Sequence, residues 1–171
     1  MRKFTKPSAL LVLATTLCSS PAAFSETCYS VGGKVKTVNL NESIQSGTIK
    51  IDLTNASGDE IFISKGQLNG YITGAVSYTT ILLKHVATLK DGSSFETSDD
   101  VAELDLTVPR AYDENGPCSF YVKEHITNIT MGTGFFDDVE SVDIMADGYI
   151  SYCLQDKYEN KFVLSGEICV N

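Results

Sequence analysis

The sequence predicts an all-β fold, namely a closed antiparallel barrel of about eight strands, with a β-sandwich as the alternative. Apolar and polar residues alternate with a period of two in many short segments, most clearly over 48–53 and 103–108. This alternation is typical of strands with one buried face. No segment after Ser25 has a sustained apolar stripe of helical period. Many short strands without helices favour a barrel or a sandwich.

Short turn signals rich in Gly, Asn and Asp separate the predicted strands. In chain order, the strands are predicted over 34–40, 48–53, 61–63, 70–76, 79–89, 103–108, 120–131, 139–154 and 161–170. The turns between them are predicted at 55–58, 65–66, 91–92, 115–117, 132–134 and 147–148.

The first 25 residues have the pattern of a secretory signal peptide. Arg2, Lys3 and Lys6 precede a short apolar run over 8–18, and small residues follow up to Ser25. The run is about half the ~20 residues that a membrane-spanning helix needs. We therefore expect cleavage near Ser25, a single domain over 26–171, and a secreted or periplasmic location.

Cleavage would make an acidic chain more acidic. All 22 acidic residues follow Ser25, while three of the 13 basic residues precede it, so 10 basic residues remain and the formal net charge becomes −12. Nucleic acids and anionic membranes require clustered basic residues. We therefore expect neither as a partner, and expect a small amphipathic ligand or another protein instead. The oligomeric state does not follow from the sequence.

Four cysteines would remain, which predicts two disulfides among three possible pairings. A hairpin centred between Phe135 and Phe136 would place Cys118 directly opposite Cys153. The remaining pair, Cys28 and Cys169, would join the first and last strands, which are neighbours in a closed barrel. A Cys153–Cys169 bridge is the main competitor. No CxxC motif occurs, so we expect no metal site and no cofactor.

His85 and Glu124 are the candidate site residues. Each lies on the more apolar face of its predicted strand, beside Leu83 and Val122 respectively. A buried histidine and carboxylate have perturbed pKa values and can bind a polar group or transfer a proton. The alternative is an ordinary polar pair in the core. Asp99 and Asp100 are interpreted as loop charges.

The run Met131-Gly-Thr-Gly-Phe-Phe, followed by Gly148 and by the strand ending at Cys169, resembles the eight-stranded barrels of allene oxide cyclase and dirigent proteins. The resemblance covers about 40 residues and implies a barrel. It carries over no catalytic residue, and the acidic residues after Phe136 depart from the pattern.

Three functions follow as hypotheses. The first is a secreted, disulfide-stabilised, non-enzymatic barrel that binds a small ligand or a partner. The second is an isomerase or cyclase that uses His85 and Glu124 inside the barrel. The third is a structural or host-interacting exported protein without a cavity.

Overall fold

The computed structural model describes residues 26–153 and 159–171, so the predicted signal peptide lies outside the described residues. The prediction of an all-β chain is confirmed. The strands are β1 (Thr27–Asn39), β2 (Ile44–Thr54), β3 (Glu60–Ala75), β4 (Thr80–Leu89), β5 (Ser94–Thr97), β6 (Asp100–Asp105), β7 (Ala111–Asp113), β8 (Gly116–Ile126), β9 (Ile129–Thr133), β10 (Val139–Ser151) and β11 (Glu159–Val170). The single helical element in this part of the chain is a 3₁₀ turn, Gly134–Phe136.

Eight of these strands close into an antiparallel barrel, as predicted. The order around the barrel is β1-β2-β3-β4-β6-β8-β10-β11, and β11 pairs again with β1. Twenty buried apolar residues from these strands and the connecting segments form one core inside it. Closure leaves the eight barrel strands without a free edge along the ring. Among the described residues, no helix has the length and apolar character needed to cross a bilayer.

Two of the predicted turns are wrong. Gly66 and Gly148 lie inside the long strands β3 and β10 and pair with Leu89 and Phe162. A Cβ atom at Gly66 would lie 2.1 Å from the carbonyl oxygen of Thr88. Glycine is therefore needed here because the neighbouring backbone approaches closely, and not because the chain turns.

One position in the wall, beside β4, is filled by two shorter strands, β5 and β6. Strand β4 pairs with β6 through Thr80–Leu83 and with β5 through Val86–Thr88. Between β5 and β6, Asp99 adopts a positive φ of 58°. This bend resets the alternation, so that Thr97 and Asp100 both point inward and are fully buried. The interpretation of Asp100 as a loop charge is therefore wrong.

Both predicted disulfides are confirmed. Cys28 and Cys169 lie directly opposite each other on β1 and β11, with their sulfur atoms 2.12 Å apart. Cys118 and Cys153 are joined at 2.08 Å. Two disulfides indicate an oxidising compartment.

The predicted register of the second pair is wrong by one residue. Glu124 lies opposite Ala146, and not opposite Asp147. Directly paired residues share one face of a sheet, so the inward-facing even-numbered residues of β8 must pair with even-numbered residues of β10. Cys153 still reaches Cys118 because it lies just beyond the end of β10.

Aromatic side chains close one end of the barrel. The rings of Phe95 and Phe136 lie 4.8 Å apart, and those of Phe62 and Phe135 lie 5.0 Å apart. Strand β9, which contains the start of the Gly-Thr-Gly-Phe run, pairs with β5. This run therefore contributes to the aromatic plug, and does not form the tip of a β8–β10 hairpin.

Candidate ligand site inside the barrel

The barrel brings the two sequence-predicted site residues together. His85 on β4 and Glu124 on β8 both point inward, as the alternation predicted, and each is at most 6% exposed. Their cross-strand neighbours are small. Gly70 lies opposite His85, while Ala102 and Ala146 flank Glu124. These small residues leave space for two large polar side chains inside a narrow barrel.

Asp100 and Thr97 complete the cluster. His85 Nδ1 lies 2.9 Å from Asp100 Oδ2, and the Thr97 hydroxyl donates to the same carboxylate oxygen. Thr97 Oγ1 in turn accepts the backbone N–H of His85 at 2.9 Å. Thr97 and Asp100 therefore fix both the backbone and the ring of His85.

Sequence reasoning missed Asp100 because it started the alternation of this segment at Glu103. Extended backwards from Leu104 and Ala102, the same alternation reaches Asp100 as an inward position. The αL residue Asp99 interrupts the alternation just before Asp100. Two adjacent aspartates also resemble a loop, so the inward position of Asp100 was not recognised from the sequence.

Each of the two carboxylates keeps one oxygen without a hydrogen bond. Asp100 Oδ1 and Glu124 Oε1 are buried and have no hydrogen-bond partner among the described residues. Glu124 Oε1 does lie 3.2 Å from His85 Nδ1. That nitrogen has only one proton to donate, and it points to Asp100, so the Glu124 contact is an electrostatic one.

Burial and charge shift the pKa values in the cluster. Burial raises the pKa of Glu124 above its usual range, and the negative charge of Asp100 adds to this effect, while His85 opposes it. For His85, burial by itself would lower the pKa. The charges of Glu124 and Asp100, together with the hydrogen bond to Asp100, outweigh it and raise the pKa. Burial of the cluster therefore favours the protonated form of Glu124, and the neighbouring carboxylates favour the protonated form of His85.

Two small cavities meet at this cluster, each of about 40 Å³. The inner cavity is mostly apolar, and Gln45, His85, Thr97 and Glu124 contribute its polar groups. The outer cavity extends toward the β1–β2 turn, where Asn41 and Glu42 are exposed. A water molecule needs roughly 10–15 Å³ of such volume, so each cavity has room for about three waters.

Gln45 and Phe162 form the partition between the cavities, since they line both, as Glu124 does. Gln45 is held by a second buried network. Its Oε1 accepts hydrogen bonds from Thr37 Oγ1 at 2.6 Å and from Asn160 Nδ2 at 3.2 Å. The amide nitrogen of the Gln45 side chain lies over Gly70, next to the ring of His85.

The cluster also has donor atoms suited to a metal ion. One nitrogen of His85 and one carboxylate oxygen each of Asp100 and Glu124 lie within 4.8 Å of one another. Transition metals accept such mixed nitrogen and oxygen ligands. A metal ion would have to replace the proton that His85 Nδ1 shares with Asp100. The sequence predicted no metal site here, because it did not bring Asp100 to His85.

The fold and the site define a class of protein: a disulfide-bonded, closed eight-stranded β-barrel with a buried cluster of ionisable groups between two internal cavities. A scan against protein-family models found no match, and searches of curated proteins and of solved structures returned none. The resemblance to allene oxide cyclase and dirigent barrels therefore stays a prediction.

Proposed function

We propose that this protein is an exported binding protein that holds a small amphipathic ligand inside its barrel. One observation carries the proposal: the buried carboxyl of Glu124 lines an apolar cavity beside His85 and has an oxygen without a hydrogen bond. Buried polar atoms are normally paired, because an unpaired one costs about 1–3 kcal/mol. A site for a polar ligand group explains why the unpaired oxygen is retained.

The polar cluster and the apolar lining of the cavity together indicate the chemistry of the ligand. A hydrogen-bond donor or a cationic group, such as an amine, would satisfy Oε1 of Glu124, a residue that lines both cavities. The apolar lining from Ile49, Leu68 and Ile144 fits a short hydrocarbon body. The ligand is small, since cavities of about 40 Å³ fall well below the roughly 300–1,000 Å³ of a drug-sized pocket.

Native mass spectrometry of the protein isolated from its oxidising compartment tests the proposal. We expect an organic adduct that is retained in the wild-type chain and in the control Glu103→Gln, which changes an exposed residue on β6. We expect the adduct to be absent from Glu124→Gln, which keeps the side-chain shape but removes the ionisable carboxyl and replaces one of its two acceptor oxygens with an amide donor. Circular dichroism would verify that both variants are folded.

Two results would overturn the proposal. The bare polypeptide mass in the wild-type protein would favour a structural role without a ligand. An adduct with the mass of a divalent metal ion, removed by a chelator, would instead make the cluster a metal centre.

An isomerase or cyclase is the second candidate function. It is favoured by His85, whose Nδ1 and not Nε2 is used in the contact with Asp100, and by His85 and Glu124 lining the same cavity. A raised pKa would keep Glu124 protonated as a general acid. Chemical conversion of the co-purified ligand by the wild-type protein would distinguish catalysis from binding, because a binding protein releases its ligand unchanged.

A further inference from the structure

The outer wall of the barrel has a row of lysines that the net charge of the chain conceals. Lys34 on β1 lies directly opposite Lys50 on β2, and Lys50 lies directly opposite Lys65 on β3. The backbone N–H of Lys90 donates to the carbonyl oxygen of Lys65 at 2.8 Å, which continues the row to the end of β4. We call these four residues the lysine row.

The lysine row spans the wall at right angles to the strands. Neighbouring strands lie about 4.8 Å apart, so the four positions cover roughly 14 Å. Lys36 lies two residues from Lys34 on the same outward face. Together the five lysines line a groove of about 470 Å³ on the outer surface of the barrel. This groove is distinct from the internal cavities. Half of the ten basic residues in 26–171 therefore lie in one groove.

This arrangement opposes the stability of the sheet, because like charges directly opposite each other across strands are destabilising. Lys50 is paired with Asp52 at 2.7 Å. Among the described residues, Lys34, Lys65 and Lys90 have no carboxylate within salt-bridge distance. The nearest acidic neighbour in sequence, Asp91, accepts hydrogen bonds from the hydroxyls of Ser64 and Ser93 instead. Three positive charges in the row are thus available to a partner.

We propose that the lysine row binds an acidic polysaccharide, a linear chain that carries sulfate or carboxylate groups at regular intervals. Single positive charges at strand spacing match repeated anionic groups along an extended polymer. Between the lysines, the groove presents the polar side chains of Thr48, Gln67 and Thr88, which can hydrogen-bond to sugar hydroxyls. This surface is independent of the proposed ligand site inside the barrel.

The groove fits other polyanions less well. It has no aromatic side chain, which a site for single-stranded nucleic acid would use to stack bases. Its apolar members, Ile49 and Leu89, are buried and cannot insert into a bilayer. The net charge of −12 on residues 26–171 repels an extended anionic surface but leaves a narrow groove accessible to one chain.

Isothermal titration calorimetry at low salt tests the proposal, with a size-defined heparin fragment as the sulfated probe and polygalacturonate as the carboxylated one. We expect at least one of the two to bind, and the affinity to fall as sodium chloride is added. The double variant K34Q/K65Q should bind about 25-fold more weakly, at about fivefold for each lysine. The control K84Q/K123Q removes two lysines outside the groove and should bind like the wild type.

The thermal midpoint of K34Q/K65Q separates loss of binding from loss of folding. It should equal or exceed that of the wild type, because the substitutions relieve like-charge repulsion. The proposal is overturned if neither polysaccharide binds at low salt, or if both double variants lose the same affinity. It is also overturned if a single-stranded oligonucleotide or phosphatidylglycerol vesicles bind more tightly than both polysaccharides.

Discussion

Replacement of Asp100 by alanine is expected to lower the free energy of unfolding by about 3–5 kcal/mol, because it breaks a fully buried ion pair from one side. Asp100 accepts hydrogen bonds from both His85 and Thr97 and is itself 0% exposed. Without it, the Thr97 hydroxyl loses its acceptor. His85 then retains only Glu124, whose ionised form is disfavoured by burial.

Urea denaturation measures this loss, with Glu103→Ala as the control on the same strand. Glu103 points outward and is exposed, so its replacement should change the free energy by no more than about 0.5 kcal/mol. Asp100→Asn separates charge from shape, since it keeps the volume of the side chain. A loss of less than about 1 kcal/mol for Asp100→Ala would show that Glu124 replaces Asp100 as the partner of His85.

Removal of the disulfide between the first and last strands is the second large effect we expect. The bridge joins residues 141 positions apart, and the chain-entropy model gives about 5 kcal/mol for a loop of that length. It also joins β1 to β11 at the place where the barrel closes. The double variant C28S/C169S should therefore unfold at a much lower urea concentration than the wild type.

The second disulfide provides the comparison. Cys118 and Cys153 are 35 positions apart, for which the same model gives about 4 kcal/mol. C118S/C153S should thus be destabilised less than C28S/C169S. The reverse order would mean that the bridge across the β1–β11 seam stabilises the barrel less than its loop length indicates.

The fold was predictable because alternation reports directly which side chains face the core. It placed His85 beside Leu83 and Glu124 beside Val122, and both are inward. The cysteine positions also indicated that the barrel closes, because a bridge between Cys28 and Cys169 requires the first and last strands to be adjacent. These inferences depend only on the period of two along a strand and on the position of residues near the chain ends.

The complete site was not predictable in the same way. Asp100 reaches His85 only because the αL residue Asp99 changes the phase between β5 and β6. The lysine row depends on the register between strands, which determines whether Lys34, Lys50 and Lys65 lie opposite one another. Net charge is a sum over the whole surface, so it excluded anionic partners without showing that half of the positive charges share one groove.

We propose that Glu124 is a buried carboxyl retained for a ligand, with a pKa that burial raises above its usual range. The pH dependence of the unfolding free energy tests this most directly, measured on the ligand-free wild type and on Glu124→Gln. The pKa values of Glu124 and His85 are both raised on folding, so their contribution is complete at low pH. The stability that Glu124 contributes is lost as the pH rises above 4.5, the ordinary pKa of glutamate. The stability that His85 contributes is lost as the pH rises above 6.5, the ordinary pKa of histidine.

We therefore predict that the wild-type barrel loses stability from mildly acidic toward alkaline pH. Glu124→Gln should show a flatter profile over this range and should be at least as stable as the wild type at alkaline pH, because it has no carboxyl to ionise inside the barrel. Superimposable profiles, or a Glu124→Gln variant that is less stable at every pH, would contradict the claim. That result would make Glu124 a structural partner of His85.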